Sequence, residues 1–460
     1  MINRRKFVQS SALATLFSAS ANSVKGMSEK ATSHEKESAG IEWKNWSGGQ
    51  TSQPEARLAP ANEQAVIDLL SSSNKKIRTV GSGHSFSPLA VTDDLLVSLS
   101  RLSGLIDSNA ESKQSTFFAG TRIADMTVPL DNINQGLINI ADIDRQTLAG
   151  AIATSTHGTG QALGSYSSYV RGLRLITAKG EVIDCDEQNS PEIFRAACVS
   201  LGGLGVITRV NIQNREQYRL KKAVWGAPTE QILEQVDNLK TNYRHFEMFP
   251  MVNADVCLAH TIEETSEPVS AQSLTEEEDD TLQLLQKYGG YAPSIRSWLI
   301  NSIVGSMNRV EAIGNSYDML ANARNMRFNE MEYQVPAEAG PACLREILAT
   351  IKKKKIDIVF PLEYRYVAAD NRWLSMFSGR DSCSISVHHF ADYDYKAYFA
   401  EIEPIFWKYA GRPHWGKLHT LTAVQLKQLY PNWKDFLAVR EALDPNKRFL
   451  NSHLSSVFGV

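Results

Sequence analysis

Two charged segments late in the chain contain residue types that could act on a hydroxylated small molecule. Glu363 and Arg365 are two residues apart, so in a strand both side chains lie on one face. They could form a structural ion pair, or they could bind a polyol, because a carboxylate accepts hydroxyl hydrogen bonds and a guanidinium donates them. The segment Gly-Arg-Pro-His-Trp-Gly-Lys at 411–417 adds His414 and Lys417. The lysine could stabilise negative charge on a substrate oxygen or on a cofactor ring.

A pair of histidines lies between these segments, on a strand predicted at 384–390. Side chains alternate along a strand, so only one of His388 and His389 can face the same site as Glu363. The sequence does not distinguish the two, and we take His389 as the site residue. A zinc site is not predicted, because these histidines lack the ligand spacing and the acidic partners.

A glycine-rich turn early in the chain could bind an anion. The strand-like run 77–80 leads into Gly-Ser-Gly-His-Ser-Phe at 81–86. Two glycines permit positive φ and close backbone approach, so several N–H groups can converge on a diphosphate. A plain turn between strands is the alternative. The segment is not the dinucleotide fingerprint, because Phe86 replaces the third glycine and Pro88 blocks a helix. His84 favours a binding role, since it would have little apolar surface to pack on.

A second segment, at 146–160, is rich in small and hydroxyl-bearing residues (Gln-Thr-Leu-Ala-Gly-Ala-Ile-Ala-Thr-Ser-Thr-His-Gly-Thr-Gly). Small residues let a short helix pack tightly, and the hydroxyls and terminal glycines suit contacts to phosphate and to a ring. Taken alone, the segment is equally compatible with a turn that has no chemical role.

Together these motifs resemble the vanillyl-alcohol-oxidase-type (PCMH-type) flavoproteins, and in particular the branch of sugar-1,4-lactone oxidases and alditol oxidases. The resemblance covers nearly all of the chain after about residue 41. It implies FAD, bonded covalently to His84, with no second attachment because no cysteine precedes Cys185. The residues that it implies in FAD binding are Gly81, Ser82, Gly83, His84, Ser85, Phe86, Asp142, Thr147, Gly150, Thr154, Ser155, Thr156, His157, Val206, Ile207 and His414.

The same resemblance implies oxidation of a hydroxyl on an aldono-1,4-lactone or an alditol. Glu363 and Arg365 would bind the substrate, Lys417 would stabilise developing charge, and His389 matches a histidine that relatives carry near this point. Hydride would pass to flavin N5 while a nearby base takes the hydroxyl proton. A non-catalytic flavin- or carbohydrate-binding protein is the alternative. The presence of these charged residues together argues against it.

Ala141 aligns with the family position that controls access of oxygen to the flavin. Alanine there is typical of the lactone dehydrogenases, although one alditol-oxidising branch combines alanine with oxygen. Asp142 adds a negative charge, which disfavours an anionic reduced flavin unless Lys417 or Arg365 offsets it. We therefore expect slow reaction with oxygen, and a periplasmic quinone or cytochrome as the better electron acceptor.

Length and composition indicate a soluble protein of two domains. A chain of 460 residues is too long for one ordinary core. Its 43% hydrophobic and 22% charged residues are typical of globular proteins. A net charge of −3 gives no reason to expect binding to nucleic acid or to an anionic membrane. The five cysteines show no Cys-x-x-Cys and no metal spacing.

The pattern of elements predicts an α+β fold. A two-part FAD-binding domain of the PCMH type would comprise 41–216 and 413–460, with an inserted α+β substrate-binding domain at 217–412. The acidic run 276–280 is predicted as a solvated loop or helix start. The other predicted elements are strands at 77–80, 95–99 and 116–119, helices at 122–135 and 297–323, and a hairpin of 170–178 with 181–185.

Residues 1–40 are predicted to lie outside the fold, as a twin-arginine-type export signal and a linker. Arg4 and Arg5 precede a weakly apolar stretch at 12–21, which is too short to span a bilayer. This route exports proteins already folded around a cofactor, so the expected location is periplasmic or secreted. An amphipathic or disordered basic N-terminus is the alternative.

Replacing Arg4 and Arg5 by lysine should retain the protein in the cytoplasm, because the twin-arginine route reads this pair. Cell fractionation with immunodetection measures the distribution, and Lys25→Arg serves as a control that changes a basic residue outside the pair. An unchanged distribution of the double variant contradicts the prediction.

Overall fold

The structure is a computed structural model that describes residues 42–270, 286, 292–322 and 326–460. The predicted export signal and linker, 1–40, lie outside the described residues. The acidic run 276–280 also lies outside them.

The first described part of the chain contains a small parallel sheet. In chain order its elements are β1 (Trp43–Lys44), β2 (Thr51–Ser52), β3 (Ala56–Leu58), α1 (Glu63–Ser72), β4 (Ile77–Val80) and β5 (Leu95–Ser98). Strand β1 pairs with β2, and β3, β5 and β4 form the parallel sheet in that order. Helix α1 begins at Asn62, whose side chain accepts a hydrogen bond from the Ala65 N–H at 2.9 Å. The strands predicted at 77–80 and 95–99 are confirmed.

Antiparallel strands follow. The next elements are β6 (Leu105–Asn109), β7 (Gln114–Phe118), α2 (Ile123–Asp131), β8 (Gln135–Leu137), α3 (Leu148–Ala153), a 3₁₀ turn (Tyr166–Tyr169), β9 (Val170–Ile176), β10 (Val182–Asp186), α4 (Pro191–Ala197) and β11 (Val206–Glu216). Within the described residues they form a six-stranded sheet of order β10–β9–β11–β7–β6, with β8 also on β11. The predicted hairpin is confirmed as β9 and β10.

The helix predicted at 122–135 is shorter than expected. It ends at Asp131, and residues 135–137 form β8, which pairs with the end of β11. Strand pairing with a segment some eighty residues away therefore outweighs the local helical pattern.

A larger antiparallel sheet occupies the middle of the chain. Its elements are β12 (Arg219–Pro228), α5 (Thr229–Glu234), α6 (Val236–Asn242), β13 (His245–Pro250), β14 (Val256–Thr265), α7 (Pro293–Gly305), β15 (Val310–Asn315), α8 (Ser316–Leu320), β16 (Phe328–Pro336), a 3₁₀ turn (Ala337–Ala339), α9 (Gly340–Lys354), β17 (Glu363–Val367), β18 (Ser382–Phe390), α10 (Lys396–Lys408) and β19 (Arg412–Pro413). In the part of the chain that is described, eight strands take the order β15–β12–β14–β13–β17–β18–β16–β19.

The single helix predicted at 297–323 is wrong. Helix α7 ends at Gly305, and residues 310–315 form the edge strand β15, in which Ile313 lies opposite Lys221 of β12. A short helix, α8, then covers 316–320. The edge of the sheet offers backbone hydrogen bonds that a local helical pattern cannot reveal.

The last part of the chain packs on the first. It contains α11 (Ala423–Leu429), α12 (Trp433–Leu443) and α13 (Ser452–Phe458). Arg448 donates to the Leu70 carbonyl at 2.9 Å, and its own carbonyl accepts from the Ile77 N–H at 2.8 Å. The domain limits at 216/217 and 412/413 stay predictions. Among the described helices, none combines the length and apolar character needed to cross a bilayer.

Candidate active site

A cavity of about 310 Å³ lies against one face of the eight-stranded sheet. The sheet provides one wall, and the rest comes from residues next to its strands, from the segment 141–157 and from the loop 414–417. Glu363, Arg365 and Lys417, which the sequence assigned to substrate and to charge stabilisation, all line this cavity.

Alternation and register bring charged side chains to the cavity. In β16, polar residues at 330, 332 and 334 alternate with apolar residues at 331, 333 and 335. Across β17, β18 and β16, Glu363 lies opposite Ser386, which lies opposite Glu332, and opposite residues share a face. Sequence reasoning missed Glu330 and Glu332, although Glu-Met-Glu-Tyr-Gln has the period-two pattern that identified Glu363 and Arg365.

His388 faces the cavity, and His389 does not, which corrects the choice made from the sequence. His388 lies opposite Glu330, and its Nε2 is 3.5 Å from the Glu330 carboxylate. The His389 ring stacks on Tyr393, with ring centroids 5.4 Å apart. The signal was present in β18, because its other odd-numbered residues, at 383, 385 and 387, are apolar and point away from the cavity.

Glu363 and Arg365 form an ion pair that is also part of the cavity wall. The Arg365 Nε lies 3.4 Å from a second carboxylate, that of Glu247. Burial raises the pKa of Glu363, and the Arg365 charge opposes this only in part. Burial acts to lower the pKa of Arg365, but the two carboxylates outweigh it and raise that pKa. The ion pair and the cavity-lining position are therefore compatible, and the substrate-binding role stays a prediction.

Lys417 is paired before any ligand binds. Its ammonium group bonds to Glu330, a buried carboxylate of β16. Burial acts to raise the pKa of Glu330, but Lys417 and then His388 outweigh it and lower that pKa. Lys417 therefore shares its charge between Glu330 and whatever binds in the cavity.

Glu332 is held as a carboxylate by three donors. Its Oε1 accepts from His157 Nε2 at 2.7 Å, from Gln334 Nε2 at 2.6 Å and from Ser384 Oγ at 2.8 Å. Burial acts to raise the pKa of Glu332, but His414, then His157 and Lys417 lower it well below the usual value. Because burial lowers the pKa of His414 to about 3, His414 is neutral at pH 7. At pH 7 the Glu332 carboxylate is therefore stabilised by its three hydrogen-bond donors and not by a charge on His414.

The His414 ring has a fixed orientation in the cavity wall. Its Nδ1 accepts a hydrogen bond from the Gly416 N–H at 3.0 Å, so the proton of the neutral ring is on Nε2. His414 can therefore donate from Nε2 and cannot act as a base through Nδ1.

A second cavity, of about 130 Å³, follows the glycine-rich turn. Gly81 lets the turn approach the 147–154 segment closely, because a Cβ at Gly81 would lie 2.2 Å from Thr147 Oγ1. Gly83 has a φ of +69°, which favours glycine. Gln146 lines both cavities, and its buried Oε1 has no hydrogen-bond partner within the described residues. A narrow glycine-lined groove that meets a wider cavity at an unsatisfied amide fits an elongated cofactor such as FAD.

Most of the residues that the sequence assigned to FAD line one of the two cavities. Asp142, Thr156, His157 and His414 line the larger cavity, and Asn322 Nδ2 donates to Asp142 at 2.7 Å. The smaller cavity is lined by Gly81, Ser82, Gly83, His84, Ser85, Thr147, Gly150, Thr154 and Ile207.

Phe86, Ser155 and Val206 line neither cavity, and their assignment to FAD contacts stays a prediction. The Phe86 ring packs against Trp46. Ser155 Oγ donates to Ser165 Oγ at 3.0 Å in the protein interior. Val206 is 1% exposed and belongs to the apolar core of the six-stranded sheet.

Known structures share this architecture. Cholesterol oxidase from Brevibacterium sterolicum superposes with a TM-score of 0.76 over 91% of this chain and 96% of its own, at 17% identity. That likeness concerns the fold alone. An FAD-binding domain family matches residues 54–186. The fold and the paired cavities define a PCMH-type FAD-dependent oxidoreductase, and FAD is its cofactor.

The chain belongs to the D-arabinono-1,4-lactone oxidase family, whose sequence model matches residues 210–457. The L-gulono-1,4-lactone dehydrogenase of Mycobacterium tuberculosis (strain ATCC 25618 / H37Rv) is 35% identical over 91% of this chain and 99% of its own. The L-gulonolactone oxidase of Bos taurus is 29% identical, covering 91% of this chain and 98% of its own. The protein is therefore an enzyme that acts on CH–OH groups.

Proposed function

We propose that this enzyme oxidises a ring or side-chain hydroxyl of an aldono-1,4-lactone. The observation that carries the proposal is the buried Glu363–Arg365 pair in the wall of the larger cavity, beside Lys417 and Glu330. Relatives named as lactone oxidases and dehydrogenases support a lactone over an alditol. An anaerobic screen of aldonolactones and alditols, followed by flavin absorbance, tests it. Bleaching by alditols alone contradicts the lactone assignment, and no bleaching favours a non-catalytic binding protein.

The cavity residues would orient the substrate and move its proton. FAD, when bound, supplies the acceptor for hydride at N5. Glu363 would accept hydrogen bonds from substrate hydroxyls, and Arg365 would donate them. His388 would orient Glu330, because its Nδ1 lies 3.1 Å from the Pro361 carbonyl and its Nε2 lies 3.5 Å from the Glu330 carboxylate. Lys417 would stabilise the negative charge that develops as the carbinol is oxidised.

We also propose that the protein is exported through the twin-arginine route, supported by Arg4 and Arg5. The arginine replacements described above test this location.

The Glu363→Gln variant should lose about a hundredfold or more in turnover, on the scale of a lost transition-state contact, with a small change in melting temperature. Turnover is measured by flavin reduction with the best lactone, and stability by thermal unfolding. Glu338→Gln, which changes an exposed carboxylate, is the matched control. A large loss of stability at unchanged turnover supports a purely structural ion pair instead.

The flavin should be bonded covalently to His84. The ring stacks on Trp46 at the groove, with centroids 5.2 Å apart. Burial, together with Lys417 and Arg145, lowers its pKa to about 4, so the imidazole is neutral at pH 7 and keeps a lone pair. After acid precipitation, the yellow colour should stay in the wild-type pellet and move to the supernatant for His84→Ala. Yellow colour only in the wild-type supernatant contradicts covalent attachment.

Reduced enzyme should react slowly with oxygen, because Ala141 lines the cavity and is only 5% exposed. The Ala141→Gly variant removes one methyl group and should speed reoxidation. Stopped-flow mixing of substrate-reduced enzyme with air-saturated buffer measures both rates, and a quinone or a cytochrome is tested as the alternative acceptor. If the wild-type enzyme is reoxidised rapidly and Ala141→Gly is no faster, the enzyme is an oxidase in which Ala141 does not restrict the access of oxygen.

A further inference from the structure

The larger cavity has two chemically different ends, which follow from the order of strands in its wall. Its charged end comes from β16, β17 and β18. The other end comes from β12, β13, β14 and β15 at the opposite side of the sheet, and from two residues next to these strands. We call this end the apolar limb, and its apolar lining consists of Val224, Phe249, Met251, Leu258, Met307 and Val310.

Lys222 of β12 is a cation in the wall of the apolar limb. It lines the cavity and is only 5% exposed. Its neighbour Lys221 points to the other face of the strand, where it pairs with Glu311 at 2.9 Å. No hydrogen bond or ion pair holds Lys222 within the described residues. An anion that enters the cavity would therefore gain a cationic partner at this position.

The nearby carboxylate is engaged elsewhere. The charge of Lys222 contributes to the lowered pKa of Glu247, but Glu247 does not line the cavity. It lies 3.2 Å from His260 Nδ1 and 3.4 Å from Arg365 Nε. Glu247 thus supports the substrate-binding arginine, and Lys222 presents its ammonium group to the limb.

The distance between the two ends exceeds one sugar ring. Strand β12 is three strand spacings from β17, about 14 Å between backbones. The hydroxyls of a lactone would lose water against the apolar walls without gaining partners. A single buried ammonium instead matches one negative charge, and the walls match an apolar body.

We propose that the apolar limb is a binding site for an organic carboxylate, whose apolar body packs on the limb and whose carboxylate pairs with Lys222. The carboxylate is either the distal end of a longer substrate or a separate ligand. This site goes beyond the proposed lactone oxidation, which does not require it.

Benzoate and benzyl alcohol are the probes, because they share an aromatic body and differ in charge. Calorimetric titration of the FAD-loaded protein should show benzoate binding about tenfold or more tightly than benzyl alcohol, the scale of a charge-assisted hydrogen bond. Lys222→Met should remove this preference, and Lys221→Met should retain it. The readout is binding, so it is independent of turnover.

Equal affinity of the wild-type protein for the two probes overturns the proposal. This comparison needs no variant, so the proposal can be tested even if Lys222→Met folds poorly. Equal benzoate affinity in wild type and folded Lys222→Met overturns it as well. A Lys222→Gln variant provides a second neutral replacement.

A further titration tests whether the limb is separate from the position of the lactone. The protein is first reduced chemically without oxygen, so that a bound lactone is not oxidised, and benzoate is titrated at saturating lactone. Benzoate affinity should be unchanged at saturating lactone, because one lactone ring does not extend from the charged end to the limb. Competition would show that the two positions overlap and would overturn a separate limb. Failure of the lactone assignment would appear in the flavin-bleaching screen and leave this binding result unaffected.

Discussion

Burial of several carboxylates on one face of the eight-stranded sheet is the constraint on which the rest of the site depends. An uncompensated buried charge costs several kcal/mol, so each carboxylate has a cation or a set of donors. The pairs are Glu363 with Arg365, Glu330 with Lys417, Glu332 with His157, and Glu247 with His260 and Arg365. Removing one partner leaves the other charge exposed to an apolar interior. The charged side chains therefore hold one another in place before any ligand binds.

Main-chain hydrogen bonds join the cofactor groove to the charged face. The Phe86 N–H donates to the Gly416 carbonyl at 2.7 Å, and Ser87 Oγ donates to the Trp415 carbonyl at 2.7 Å. The His414 N–H donates to the Glu332 carbonyl at 2.9 Å. The loop 414–417 is thus bonded to the flavin-binding turn on one side and to β16 on the other. These backbone bonds hold the loop in a fixed position between the two cavities, so the side chains of His414 and Lys417 reach the larger cavity from a rigid support.

The charged end and the apolar limb divide the cavity into regions with different demands. The charged end offers a carboxylate acceptor and a guanidinium donor, Glu363 and Arg365, which the proposal assigns to substrate hydroxyls. The limb satisfies apolar surface and one negative charge at Lys222. Selection among ligands therefore depends on length as well as on hydrogen bonding, because only a ligand that passes three strands reaches both regions. Neutral His414 has Nε2 available as a donor and adds no charge to the cavity wall.

The sequence by itself determined what depends on short-range backbone rules. The turn at 81–86 follows from its glycines, the shared face of Glu363 and Arg365 from strand alternation, and the hairpin of β9 and β10 from adjacent strands. Tertiary structure alone decided which strands are neighbours. It determined that β15 ends the helical stretch, that His388 meets Glu330, that Lys417 is already paired, and that Lys222 has no partner in the described chain. Each of these depends on contacts between segments far apart in sequence, whose pairing and register are set by burial of the whole sheet, which no local pattern encodes.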